Sequence, residues 1–524
     1  MRPLRGGVCE ATPVNSLAPF ESSIAERYHE ETKYSEESLR REATQRPHLD
    51  WAGQPVPFKE LHGARLLLPA TGLPIGRAGG EAPSYPGAAA GRVDAERLAR
   101  LLWHTNGCTR IAQMPGGLHH YRAAPSAGAM YPTEVYVVVR DVPGFAPGAY
   151  GYQLLDHSLV RVREGEPSEA LRAALFGHPA AQTCDAAVVL TAVWYRSSWR
   201  YRERGYRRAL LDTGHVLGNL VAYAPAEGLA ALPLGCFRDA LLEQMLGLDP
   251  TDEGVLAVVP LVAEVSADEL PAVPLRRSPT VEWRRAVNAV TDRLPRDAPE
   301  RVIAALHLAG RLDADADPVA PRAAPPAHEG ALEIAGADDV TRWNDDEPLG
   351  LTIATRRSTR EFRAAPLPRV PLLRALAFAT EPPAQTLFVP ELLRTYVVAL
   401  DVVGLPPGCY LYEPGSRRLV ELIRRNLAAE MLHLGLGQQI FVHAGAVLVH
   451  TVDLTRAVER LGDRVYRLIA LDAGHVGERL NLAALREGLG VSGCGGYYDD
   501  EMSRALGIPE SQAVVYLTSL GVPA

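Results

Sequence analysis

Two tandem α+β units, each a sheet packed by helices and held together in one chain as an internal pseudo-dimer, are predicted from three observations. The chain has 524 residues, more than a single hydrophobic core supports, so two domains with extensions are expected. A repeat is visible: LLDTGHVLGNL, from Leu210 to Leu220, returns as ALDAGHVGERL, from Ala470 to Leu480, at an offset of 260 residues. That offset then holds without a gap. It places Tyr136-Val137-Val138 on Tyr396-Val397-Val398, Pro147-Gly148-Ala149-Tyr150 on Pro407-Gly408-Cys409-Tyr410, Glu227-Gly228-Leu229 on Glu487-Gly488-Leu489, and Asp239 on Asp499. Shared composition does not keep register over such a distance.

Each unit reads in the same order. A helix (Ala95 to His104; Pro371 to Thr380) leads to a strand (Glu134 to Arg140; Thr395 to Asp401), a Pro-Gly turn and an aromatic-rich hairpin. Next come a helix, a buried apolar strand (Ala186 to Tyr195; Ala446 to Val452) and the long helix bearing Gly-His. A Gly-rich loop, a further helix and a last strand (Val255 to Val262; Val514 to Leu520) close the unit. This pattern predicts mixed or antiparallel sheets flanked by helices rather than a wound parallel sheet. The boundaries follow as an N-terminal extension over 1–90, a first domain over 91–268, a helical and Pro/Ala-rich linker over 269–345 that includes Ala314 to Gly330, and a second domain over 346–524. The polar first 60 residues are expected to wrap the body.

Composition narrows the function. A net charge of −8 with dispersed basic residues argues against a nucleic-acid surface. No apolar run reaches the roughly 18 residues of a membrane span, and the N-terminus lacks a signal core, so a cytoplasmic protein is expected. The six cysteines show no CxxC or His-flanked spacing, which leaves metal sites and a disulfide framework without support and predicts buried thiols. Lys33 and Lys59 are the only lysines. The remaining strong positive charge is Arg, which cannot act as a general base.

Pro125-Ser126-Ala127-Gly128-Ala129-Met130-Tyr131-Pro132, with LLWHTNGCTR before it, RERGYRRALLDTGH after it, YHEETKYSEESL near the N-terminus and Arg356-Arg357-Ser358-Thr359-Arg360 in the second copy, resembles the nitroreductase superfamily. Within it the motifs are most similar to the SagB/ThcOx-type azoline dehydrogenases of peptide natural-product biosynthesis. The resemblance implies FMN. Arg356, Arg357 and Arg360 suit its phosphate because forked guanidiniums bind phosphate bidentately, and Ser358 lies among them. The small residues Pro125, Ser126, Ala127 and Gly128 let backbone approach a flat ring, as do Gly493, Cys494, Gly495 and Gly496, whose loop in this superfamily runs beside the isoalloxazine.

In the superfamily two identical subunits build two flavin sites, each mixing residues of both. Here the copies have diverged in complementary ways. With Leu98 and Leu101 set on Leu373 and Leu376, an upstream offset of 275, the Arg motif falls on Glu81-Ala82-Pro83-Ser84-Tyr85, without a base. PSAGAMYP falls on Gln385 to Leu392, bulky and extended. One FMN per chain is therefore expected, in a monomeric pseudo-dimer or a weak oligomer. The resemblance further implies oxidation of a thiazoline or oxazoline in a precursor peptide to an azole, with a cyclodehydratase complex as partner and oxygen reoxidising the flavin. Where the family places a Lys-Tyr pair, this chain has Arg200-Tyr201, which makes Tyr201 the candidate base and leaves Arg200 either to orient the substrate or to lower the Tyr201 pKa by its charge. His215 and His475 occupy equivalent positions and read as interface packing. Two other functions stay open: a flavin oxidoreductase acting on another small or carrier-bound substrate, and a flavin-free scaffold subunit.

Overall fold

The strands that cross the middle of each copy are apolar on both faces, as a sheet covered on both sides requires. Thr133–Val139 and Ala186–Val193 are buried at every position. The structure, a computed structural model, describes residues 23–45, 49, 51–73, 91–114, 117–263, 306–312, 348–381 and 392–524. The first sheet runs from edge to edge as Arg65–Leu67, Ser158–Glu164, Gly148–Gln153, Thr133–Val139, Ala186–Val193, Glu253–Val262 and Ala230–Ala231. The second runs as Arg418–Ile423, Gly408–Glu413, Leu393–Ala399, Ala446–Asp453, Gln512–Gly521 and Gly490–Cys494. All neighbouring pairs in both sheets are antiparallel.

The repeat extends to the pairing register. Tyr136 faces Val189 as Tyr396 faces Val449. The irregularity between Leu190 and Thr191 returns between His450 and Thr451, and that between Ala149 and Tyr150 returns between Cys409 and Tyr410.

The long Gly-His helices, Gly205–Tyr223 and Val465–Arg486, cross at the seam. A Cβ on Gly214 would lie closer than 3.0 Å to the Leu471 carbonyl oxygen and to Gly474 Cα, and one on Gly474 would do the same to the Leu211 oxygen and Gly214 Cα. The crossing therefore sits on an approximate two-fold axis with glycine on both sides. One turn on, a Cβ on Gly218 would be 2.6 Å from Glu478 Cβ. Burial pushes the Glu478 carboxyl up to about 8, opposed by Arg356, whose Nε is 3.8 Å away.

A second repeat lies in the segments expected to be an extension and a linker. Arg204 and Arg207 share Asp499 and donate to the carbonyls of Thr32 and His29. At the positions 260 residues on, Arg464 and Arg467 share Asp239 and donate to the carbonyls of Gly310 and His307. The Tyr34 amide donates to Asp499 as the Leu312 amide donates to Asp239. The helix Ile24–Glu31 with its following turn and the stretch 306–312 are thus one element used twice, each clamped across the arginine pair of the central helix.

Some expectations are corrected. Trp194 and Tyr195 do not end a strand; they open the helix Trp194–Tyr201, with the Trp194 ring tilted against Tyr206 and His307. Cys236 is exposed and Cys108 half-buried, whereas Cys184, Cys409 and Cys494 are buried. The upstream and downstream offsets differ by 15 residues, the length of the first copy's hairpin Cys108–Met114 and Gly117–Arg122 taken end to end. Glu81 to Tyr85, residues 385–391, the linker stretch 314–330 and residues 1–22 lie outside the described residues. No helix among the described residues is long and apolar enough to cross a membrane.

Candidate functional site

A cavity of about 860 Å³ opens on the seam, within the size range of small-molecule sites. All fourteen residues singled out from sequence line it: Arg200 and Tyr201, Pro125 to Gly128, Arg356 to Ser358 with Arg360, and Gly493 to Gly496.

The first copy supplies the PSAGA loop. It is pinned by Asp212 of the central helix, whose carboxylate accepts from Ser126 Oγ at 2.5 Å and from the Ala127 amide at 3.1 Å, while Ser126 Oγ accepts from the Tyr131 amide at 2.8 Å. Burial of Asp212 pushes its carboxyl up to about 7, and the loop's hydrogen bonds and Arg208 act the other way. Gly128 has φ +59°, and a Cβ there would lie 2.7 Å from the Tyr201 hydroxyl oxygen, so the loop needs glycine to pass beneath the phenol.

The second copy supplies the basic motif, which the strand Gly490–Cys494 holds in place. The Thr359 amide donates to the Val491 carbonyl at 2.9 Å, and the Val491 amide donates to Thr359 Oγ1 at 3.0 Å. The three arginines differ in what they can do. Arg356 is turned into the seam and donates Nε to the Ala123 carbonyl and Nη2 to the Arg122 carbonyl, both in the first copy. Arg357 bonds Thr109 and the Arg356 carbonyl through Nη1 and leaves Nε buried without a partner. Arg360 is exposed. With Arg110 also lining this region, Arg357 and Arg360 have no carboxylate partner among the described residues, and that donor set suits a phosphate dianion.

The glycine loop is fastened by Gln438, whose Nε2 donates to the Gly435 and Gly496 carbonyls at 2.7 and 2.9 Å. Tyr516 of the second copy fills the space left by Gly493 and meets His215 of the first, its oxygen 3.1 Å from His215 Nε2. Since His215 Nδ1 must donate to the Leu211 carbonyl at 2.8 Å, Nε2 accepts from Tyr516. Burial lowers His215 to about 4, so the ring is a neutral seam contact.

Burial raises the Tyr201 phenol above its ordinary value, and the charges of Arg208 and Arg200 oppose that rise. Neither lysine is near: Lys33 pairs with Glu30 and Asp500, and Lys59 is buried against Glu253 and Tyr136. The sequence reading missed Asp212, Arg208, Tyr516 and Gln438. The signal for Arg208 was present, because the equivalent position in the second copy is Leu468. Among the described residues Asp239, Glu243 and His307 bring ligand-type atoms within 4.8 Å of one another, but two guanidiniums already occupy Asp239.

An antiparallel α+β pseudo-dimer with a cationic, glycine-lined cavity on its seam is the class of protein that the fold and the site define. The nitroreductase family model matches residues 89–261 and 353–522, and the chain belongs to that family. A solved structure from Anabaena variabilis, described as a candidate nitroreductase, is 34% identical with a TM-score of 0.76, covering 96% of this chain and all of its own. The trifolitoxin-processing protein TfxB of Rhizobium leguminosarum bv. trifolii is 34% identical over 146 residues, 27% of this chain and 39% of TfxB. The microcin B17-processing protein McbC of Escherichia coli is 28% identical over 169 residues, 29% of this chain and 56% of McbC. MJ1384 of Methanocaldococcus jannaschii, a candidate nitroreductase, is 33% identical over 126 residues, 24% of this chain. The chain spans less than two thirds of the length of these three relatives: 64% of MJ1384, and less of the other two.

Proposed function

We propose that the chain is an FMN-dependent dehydrogenase that oxidises thiazoline or oxazoline rings of a ribosomally made precursor peptide to azoles. The observation that carries this reading is the meeting, in one cavity, of an arginine cluster from the second copy, with Arg357 Nε left without a partner, and a glycine loop and a buried phenol from the first. Two relatives named for the processing of trifolitoxin and microcin B17 support the substrate class.

In this reading Arg357, Ser358 and Arg360 take the FMN phosphate, and Arg356 locks the seam behind them. The loops at Pro125 to Gly128 and Gly493 to Gly496 would hold the flavin ring. When bound, FMN would supply the two-electron acceptor for the hydride that leaves one ring carbon of the azoline. Tyr201 would take the proton lost from the adjacent carbon once its phenol has ionised, the form that the Arg208 and Arg200 charges favour against burial, and the remaining electron pair would form the new C=C bond. Arg200 orients the substrate at the mouth. A cyclodehydratase that forms the azoline is the partner this chemistry requires upstream.

A second reading, a flavin oxidoreductase on another small or carrier-bound substrate, is favoured by one feature, the Arg at position 200 where the resemblance calls for Lys. Incubating the purified, FMN-loaded chain with an azoline-containing peptide and weighing the product by mass spectrometry separates the two. Loss of H2 per ring is expected; reduction of nitroaromatics by NAD(P)H with azolines untouched would select the second reading, and a colourless chain that takes up no flavin would select the scaffold.

A further inference from the structure

Buried arginines among the described residues are as a rule matched by oxygen acceptors: Arg122, Arg163 and Arg479 donate to backbone carbonyls, and others meet carboxylates. Arg204 and Arg207 share Asp499, Arg464 and Arg467 share Asp239, and Arg100 and Arg196 pair with Glu227 and Glu134. Arg208 breaks the pattern. It is 5% exposed, lines the cavity, makes no hydrogen bond or salt bridge among the described residues, and leaves Nε without a partner. The nearest acid on its own helix, Asp212, is spent on Ser126 and Ala127.

The fold makes room for this side chain: a Cβ on Gly495 would lie 2.7 Å from Arg208 Cζ and closer still to Nη1. The guanidinium stands 5.0 Å from the centre of the Tyr201 ring, and Arg200, exposed at the mouth, stands 5.8 Å from the same ring. In the second copy the positions of Tyr201 and Arg208 hold Leu461 and Leu468, so the helix does not need the charge in order to fold. In the proposed reading Arg357 and Arg360 already answer the phosphate, and Arg357 has Thr109 and Tyr121 as its neighbours, where Arg208 has Tyr201. A buried cation without a counterion is costly, and a forked guanidinium is shaped for a carboxylate.

We infer that Arg208, assisted by Arg200, forms a second anion site beside Tyr201 that takes a carboxylate of the substrate. Resting on the proposed azoline oxidation, this points to a ring made from a C-terminal residue, whose carboxylate is attached to the carbon that loses hydrogen.

The test uses the FMN-loaded full chain and reads perturbation of the flavin absorbance by benzoate and by benzamide, alongside turnover of a thiazoline-terminated peptide as its free acid and as its carboxamide. Wild type is expected to bind benzoate at least about tenfold more tightly than benzamide, with Arg208→Gln erasing that preference and Arg208→Lys keeping part of it. Equal affinity for the two probes in wild type overturns the proposal without recourse to any variant. A flavin midpoint potential that falls in Arg208→Gln while the benzoate preference stays intact also overturns it, because the charge served is then the cofactor's own. Preference lost in Arg208→Gln with no azoline turnover in wild type keeps the anion site and removes the azoline assignment.

Discussion

Tyr201 stands between two cations and against the Gly128 turn, and the proposed mechanism makes its oxygen the proton acceptor. Tyr201→Phe is expected to leave FMN bound, read by flavin absorbance, and to lower azole formation at least about a hundredfold, read by mass spectrometry; unchanged turnover would remove the phenol from the mechanism. Asp212 gives a pH-dependent counterpart. Its carboxyl is ordinary in the unfolded chain and raised to about 7 when folded, so as pH climbs from about 4 to 7 the unfolded state ionises first and stability falls through that window. Asp212→Asn, which removes the charge and keeps the shape, is expected to melt higher than wild type by a margin that widens with pH across the window and levels above it. A margin independent of pH would show that the carboxyl is ionised throughout. The identities of the cavity residues were legible because their types announce their chemistry. Which arginine keeps an unpartnered donor was not: Arg356 and Arg357 are neighbours in sequence, and only the fold turns Arg356 toward the carbonyls of Arg122 and Ala123.

At the scale of elements, the helix crossing is the joint on which both half-sites hang. Gly214→Ala forces a methyl against a backbone carbonyl that no rotamer change relieves, and a loss of about 3 kcal/mol or more is expected from denaturant unfolding. Gly415→Ala, at a turn with nothing within 4 Å, is the control and should be neutral; the first copy already carries Leu155 there. Strands and central helices could be read from the repeat because their side chains are constrained on both faces. The paired docking segments at 24–34 and 306–312 could not, since the arginines bind their backbone carbonyls, which any residue offers, so that His29 and Thr32 can be answered by His307 and Gly310 with little else in common. The strand reading of Trp194 and Tyr195 failed because bulky aromatics suit strands and buried helix starts alike.

At the scale of the molecule, one composite cavity gathers the Arg motif of one copy and the PSAGA loop of the other. Leu461 and Leu468 mark the opposite side as apolar where the working side has Tyr201 and Arg208. Flavin titration followed by fluorescence quenching is expected to saturate at one FMN per chain; tight binding of a further equivalent would show that the apolar side also binds.

Gly218 and Glu478 occupy matching positions on the two crossing helices, and each has the other as its neighbour. Identical subunits related by a two-fold could place there only glycine against glycine, leaving a hole, or glutamate against glutamate, crowding two acids. A hollow facing a bulge is a shape that only two non-identical halves permit, and making the halves interchangeable again would cost the seam its fit.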